Sequence, residues 1–276
     1  MKNDPLLQPL KIKHLHLKNR VMLSAHEPSY AEDGLPKDKY RFYHVERAKG
    51  GIALTMTAGS AVVSEDSPPA YNNLHAYKDE IVPWLKKLTD ECHQYGTKVM
   101  IQITHLGRRT NWNHSDWLPV LSASPIREPA HRSFPKEAED WDIERIIKDY
   151  GEAAERIKEA GLDGVEIEAY GHLLDSFWSP ATNKRKDEYG GSIDNRIAFS
   201  EIVAIPFSIG RVWYLDPKTA IPFWGSILLL IGFSTVTYVN YRKKSIEAQE
   251  LREAEIERQQ AEMEEAREFQ QAMLPK

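Results

Sequence analysis

The chain has 276 residues, 41% of them hydrophobic, and a formal net charge of -5. That is enough apolar material for a barrel-sized domain, and the lack of a basic stripe with interleaved aromatics argues against a nucleic-acid partner. One cysteine, Cys92, excludes an internal disulfide and any multi-cysteine metal or iron–sulfur site contributed by this chain, and no metal ligands are assigned.

The opening segment MKNDPLLQPLKIKHLHLKNR holds no apolar run of the secretory kind, so the N-terminal part is expected to be cytoplasmic. Within it PLKIKHLHLKN alternates with period two, which predicts a hairpin plugging the floor of whatever follows. From residue 20 to about 205, strand-like and helix-like stretches alternate. RVMLSA precedes the helical KDKYRFYHVERAKGG; IALTMTA precedes a helix from Lys78 to Tyr95, in which Cys92 reads as a packing residue. KVMIQIT then leads through a long loop to IERIIKDYGEAAERIKEAG. There Ile143, Ile146, Ile147, Tyr150, Ala153, Ala154 and Ile157 share one face at the 3.6-residue period. DGVEIEA closes the series. Strands alternating with amphipathic helices predict an α/β fold with a parallel sheet, here about four βα units.

The character of the chain changes near residue 206. Residues 206–219 form a junction, and residues 220–239 carry no charged side chain. At about 1.5 Å per residue such a run crosses the roughly 30 Å hydrocarbon core, which predicts a single transmembrane helix over 220–240; the alternative is a buried core helix. Arg242, Lys243 and Lys244 follow it at once, placing the C-terminal side in the cytoplasm by the positive-inside bias. Residues 241–276 read as a charged helical linker, either plainly solvated or a weak coiled coil that makes a homodimer.

Chemistry is concentrated in three loops that follow strand C-termini: SAHEPSYAEDG, THLGRRTNWNHSDW and EAYGHLLDSFWSPATNKRKDEYGGSIDNR. They carry His26, Gln102, His105, Arg108, Glu168, Tyr170 and His172, groups able to hold a planar polar ring or move a proton. Any one of these histidines alone reads as a hydrogen-bonded structural residue or a surface residue. Their clustering on one face favours a site.

The motifs NRVMLSAH, GGIALTMTAGSAV, IQITHLGRR, GLDGVEIEAYGHLLDSFWSP and NKRKDEYGGSIDNRIAFSEIV resemble, in order, those of the old yellow enzyme family, the NADH:flavin oxidoreductases. The resemblance covers about residues 5–204. HEPSYAEDGLPKDKY and EAYGHLLDSFW are closer to its amine-oxidising, N-methylproline demethylase-like branch than to the ordinary ene-reductases. It implies a TIM (β/α)8 barrel carrying FMN, of which this chain supplies the N-terminal half, residues 1–205.

By the same resemblance, Ser24, Ala25 and His26 lie along the flavin, Ala58 does so at the second strand, and Gln102 hydrogen-bonds the pyrimidine edge of the ring, with Arg108 in the HxGR turn beside it. Ene-reductases of the family carry a His-x-x-His or His-x-x-Asn carbonyl clamp followed by a tyrosine. Here Glu168, Ala169, Tyr170, Gly171 and His172 replace it, one residue shorter. A carboxylate and a phenol facing a flavin suit a cationic amine better than an enone oxygen, so Glu168, Tyr170 and His172 are the candidate catalytic residues for hydride loss from an N-methylated amine. The alternative places Glu168 in the helix layer as a structural acid.

The family's phosphate-binding strands seven and eight are not recognised in this sequence, so a truncated and inactive barrel is also expected. The segment AREFQQAMLPK resembles the start of bacterial PPM-type serine phosphatase domains, where a membrane helix and linker precede the catalytic fold. This supports a membrane-anchored signalling fragment as a second reading. A third is a junction of two partial proteins between Ile202 and Arg211.

Overall fold

The structure, a computed structural model, describes residues 4–12, 14–67, 70–110 and 119–208. The membrane span expected at 220–240, the charged linker at 241–276, the phosphatase-like segment and most of the junction lie outside the described residues. Among the described residues no helix is long and apolar enough to cross a membrane.

After a 3-10 turn at Pro5–Leu7, β1 (Leu10–Ile12) and β2 (Leu15–Leu17) pair antiparallel, with Leu10 opposite Leu17. The alternation seen in the sequence sends Leu15 and Leu17 inward and leaves His16 exposed. There follow β3 (Met22–Leu23), α1 (Asp38–Lys49), β4 (Leu54–Val62), α2 (Ile81–Gln94), β5 (Lys98–Thr104), the two-residue strands β6 (Leu121–Ser122) and β7 (Lys136–Glu137), α3 (Asp140–Glu159), β8 (Gly164–Ile167), α4 (Leu173–Trp178) and α5 (Ile193–Ser208). Leu15 and Leu17 pack on Ala53 and Leu54 where β4 begins, so the hairpin covers the N-terminal end of the sheet as expected.

Strands β3, β4, β5 and β8 form one parallel sheet in that order. Each new strand joins beside its predecessor, which is the winding of a β/α barrel; in a doubly wound sheet the order reverses at a switch point. The helices hold to the sheet through apolar stripes. Ile81, Leu85, Leu88 and Cys92 of α2 are buried at helical spacing, as are Ile143, Ile146, Tyr150, Ala153, Ala154 and Ile157 of α3, with Ile147 half-buried at the margin. Each buried Leu or Ile contributes about 2 kcal/mol of transfer free energy. Burial, and secondarily the charge of Glu91, pushes the Cys92 thiol up to about 12, so it packs and does not react.

Two boundaries and three short elements differ from expectation. Helix α2 starts at Ile81, not Lys78, and Pro83 then sits in the first turn, where its missing N–H costs nothing. Strand β4 runs to Val62 instead of ending near Ala58, through an irregularity between Thr57 and Ala61 in which Ala58 and Ser60 have φ of 54° and 70°. Its backbone groups remain satisfied: the Ala58 N–H donates to the Tyr40 hydroxyl at 2.8 Å, and Asn73 Nδ2 donates to the Gly59 carbonyl at 3.1 Å. Finally β6, β7 and α4 arise inside stretches read as loop, being too short to show a period.

Candidate active site

A cleft of about 400 Å³ opens where the C-terminal ends of the four parallel strands meet their loops. The β3 loop contributes Ala25, His26 and Glu27, and the irregularity in β4 contributes Gly59 and Ser60. Gln102 and Arg109 enter from β5 and its loop, and Glu168, Tyr170 and His172 from the β8 loop. The irregularity matters because an extra residue in a strand re-aims the side chains after it. Here it turns Ser60 towards β8.

Ser60 joins three of the expected residues. Its hydroxyl donates to Glu168 Oε2, its N–H donates to Gln102 Oε1 at 3.0 Å, and its Oγ lies 3.4 Å from His172 Nε2. His172 Nε2 is also 3.4 Å from Glu168 Oε2. Burial pushes the Glu168 pKa up, but hydrogen bonding to His172 and Ser60 and the nearby Arg109 charge more than offset it, holding the group below the usual carboxylate range. Glu168 is therefore an anion at neutral pH. This replaces the alternative in which it points into the helix layer. Tyr170 is 75% exposed at the cleft mouth, and His172 Nδ1 is buried without a hydrogen-bond partner among the described residues.

Other expected residues are placed differently. Arg108 points away: its Nη1 donates to the Ile126 carbonyl at 2.9 Å, and Arg109 lines the cleft in its stead. Gly171 makes room for Arg109, since its φ is 74° and a Cβ there would lie 2.0 Å from Arg109 Nη1. Ser24 and Ala58 do not line the cleft; Ala58 is fully buried. His105, grouped with the chemical residues from its sequence context, is completely buried. Its Nδ1 accepts from the Gly107 N–H at 3.0 Å, which leaves Nε2 to donate to Asp66 Oδ1 at 3.1 Å. Arg145 of α3 pairs with the same carboxylate, and the Tyr150 hydroxyl accepts the His105 N–H at 2.9 Å. His105 braces the turn that carries Arg108 and Arg109.

Sequence reasoning missed Ser60, Arg109 and Glu27. Glu27 lines the cleft with one oxygen on the Ser29 N–H at 2.8 Å and the other buried without a partner among the described residues. Burial, only partly offset by Ser29, raises its pKa to about 7.

The donor set fits the ring of a flavin. Gln102 Nε2 donates one hydrogen to Glu166 Oε1 at 2.5 Å and Oε1 accepts from Ser60, which leaves a second N–H and a second lone pair for a ring edge that needs both. Ala25 and His26 form the wall beside it. Among the described residues lining the cleft, Arg109 is the one permanent cation, so groups for a cofactor phosphate are not assembled there.

A sequentially wound parallel sheet with its polar cleft at the strand C-termini defines a β/α-barrel enzyme segment. The pattern of the NADH:flavin oxidoreductase / NADH oxidase family matches residues 5–205, and the chain belongs to that family. It is 64% identical over 199 residues to a Rhizobium meliloti protein described as a probable N-methylproline demethylase, covering 72% of this chain and 29% of that protein. It is 46% identical to an N,N-dimethylglycine/sarcosine dehydrogenase of Chromohalobacter salexigens, covering 71% and 29%. Among solved structures, an old yellow enzyme from Pichia sp. superposes with a TM-score of 0.71 at 28% identity, covering 76% of this chain and 57% of that one. Morphinone reductase superposes at 0.70 and 26% identity, covering 76% and 61%. The chain thus spans under a third of the length of these two curated relatives.

Proposed function

We propose that the cleft binds N-methylated amines or amino acids as cations and positions the N-methyl carbon for hydride removal. The observation that carries this reading is Glu168, an anion fixed by Ser60 and His172 where the family's ene-reductases place a carbonyl clamp. FMN bound along Ala25, His26 and Gln102 would supply the two-electron acceptor. Glu168 attracts the substrate's positive charge in a cleft where partial desolvation strengthens the pairing. Tyr170, exposed at the mouth, offers its hydroxyl as a polar edge for a substrate carboxylate. His172 lies beside Glu168 and helps hold its carboxylate in place. The names of the relatives, a demethylase and a dimethylglycine/sarcosine dehydrogenase, support the same substrate class.

The test is a substrate panel with the purified, flavin-supplemented protein. Turnover of N-methylproline or sarcosine with formaldehyde release is expected; efficient reduction of a simple enone with no turnover of any amine would sink the assignment.

We further propose that residues 220–240 cross a membrane once. What supports this is the uncharged run at 220–239 followed by Arg242, Lys243 and Lys244. Alkaline carbonate extraction of membranes checks it: retention in the pellet is expected, and full release contradicts it.

A further inference from the structure

Glu27 is left unused by the amine site described above, yet it stands in the wall of the same cleft. Its position is set by backbone packing. A Cβ at Gly59 would lie 2.8 Å from the Glu27 N and 3.3 Å from its Cβ, so the β3 loop and the β4 irregularity are pressed together with no room for a larger residue between them. The consequence is a carboxyl with one oxygen held by Ser29 and the other buried with no hydrogen-bond partner among the described residues. Leaving such an oxygen ionised and unpaired is costly, and a proton removes that cost.

The two carboxyls of the cleft are therefore different instruments. Glu168 has Ser60, His172 and Arg109 around it and stays charged. Glu27 has no ion pair among the described residues and, at about 7, its pKa lies where a general base works best at neutral pH. The titratable neighbours are His26 on its own loop and Tyr40 from α1, whose phenol is pushed well above its usual value by burial and then by Glu27 itself. Gly59 offers only backbone from β4. Arg109, His131, Glu168 and His172 stand elsewhere around the cleft.

We propose that Glu27 is the proton acceptor for the substrate's protonated amine, while Glu168 is its fixed counter-charge; this rests on the amine reading above. In the step, the ammonium N–H bond breaks and its electron pair stays on nitrogen, while an O–H bond forms to the Glu27 carboxylate. One negative and one positive charge become two neutral groups, a change that a desolvated cleft favours. Only the neutral amine, with its lone pair restored, can assist loss of hydride from the adjacent carbon. The proton returns to solvent when Glu27 reionises.

The experiment is infrared difference spectroscopy of ligand binding at pH 8, with any bound flavin held reduced so that the amine binds without turnover. N-methylproline is compared with its quaternary N,N-dimethyl analogue, which has no proton to give. Gain of a protonated-carboxyl C=O band with N-methylproline alone is expected; Glu27→Gln removes the band and Glu27→Asp, which keeps a carboxyl, shifts it. Binding of both ligands without the band, or a band that survives in Glu27→Gln, overturns the assignment. If neither ligand binds to the wild-type protein, the amine reading itself fails and takes the assignment with it. Should Glu27→Gln not fold, the shift in Glu27→Asp alone decides.

Discussion

Two clusters in this molecule are built from the same parts, a histidine, a carboxylate and a nearby arginine, and they behave in opposite ways. Around His105 every polar atom is spoken for: Nδ1 by Gly107, Nε2 by Asp66, and the Asp66 carboxylate again by Arg145. Around His172 the inventory is incomplete. Nδ1 is buried and unpartnered among the described residues, the contacts to Ser60 and Glu168 are 3.4 Å long, and Glu168 lines the cleft. A complete network braces a turn; an incomplete one at a cleft is ready for a ligand. What separates structure from chemistry here is the state of the partners, not the residue types.

The largest effect should come from breaking the complete cluster. Asp66→Ala leaves His105 and Arg145 without their shared anion and is expected to cost about 3–5 kcal/mol in urea unfolding. A loss under about 1 kcal/mol would show that the cluster is not a brace.

Acid should act on the same cluster. Burial raises the Asp66 pKa, but His105 and Arg145 more than reverse this and bring it from 3.8 to about 2. A depressed folded value means the contribution, about 2 kcal/mol, is complete above pH 3.8 and fades as pH falls through 2. Stability measured between pH 5 and pH 2 should decline, and the decline should be shallower in Asp66→Asn.

Glu27 gives the reverse sign. Its folded value, raised from 4.5 to about 7, means stability is fullest below 4.5 and is lost as pH climbs through 7. After discounting for its partial exposure, Glu27→Gln should gain about 1 kcal/mol at pH 8 and nothing at pH 4. An equal change at both pH values would mean the carboxyl is solvated.

The smallest effect expected is at the loop that seats Arg109. Gly171→Ala puts a Cβ into both a positive φ and the guanidinium, costing about 1 kcal/mol in a thermal melt and weakening amine binding by displacing Arg109. Unchanged stability would mean that the β8 loop shifts freely.

The sheet, its helices and the hairpin under it were legible because they repeat: period two in KIKHLHL, period 3.6 across Ile143 to Ile157. The site was legible where its residues stand in recognisable motifs, as with Ala25, His26, Gln102, Glu168, Tyr170 and His172. Ser60 could not be read, since its role depends on a strand irregularity formed by Ala58 and Ser60 at positive φ, residue types that do not advertise that conformation. The choice between Arg108 and Arg109 turns on the space left by Gly171, which is 62 positions from Arg109 in the chain. His105 looked chemical because Asp66 and Arg145, the residues that occupy it, lie 39 and 40 positions away. Glu27 carried no signal, since the close approach of Gly59 to its backbone joins segments far apart in the chain.

The most direct measurement is the affinity of the purified protein for N-methylproline at pH 7 by isothermal titration calorimetry, wild type against Glu168→Gln. If Glu168 holds the cation, losing a charge-assisted contact of about 1.5–3 kcal/mol should weaken binding roughly 10- to 150-fold in the folded protein. Equal affinity in the two proteins would contradict the account.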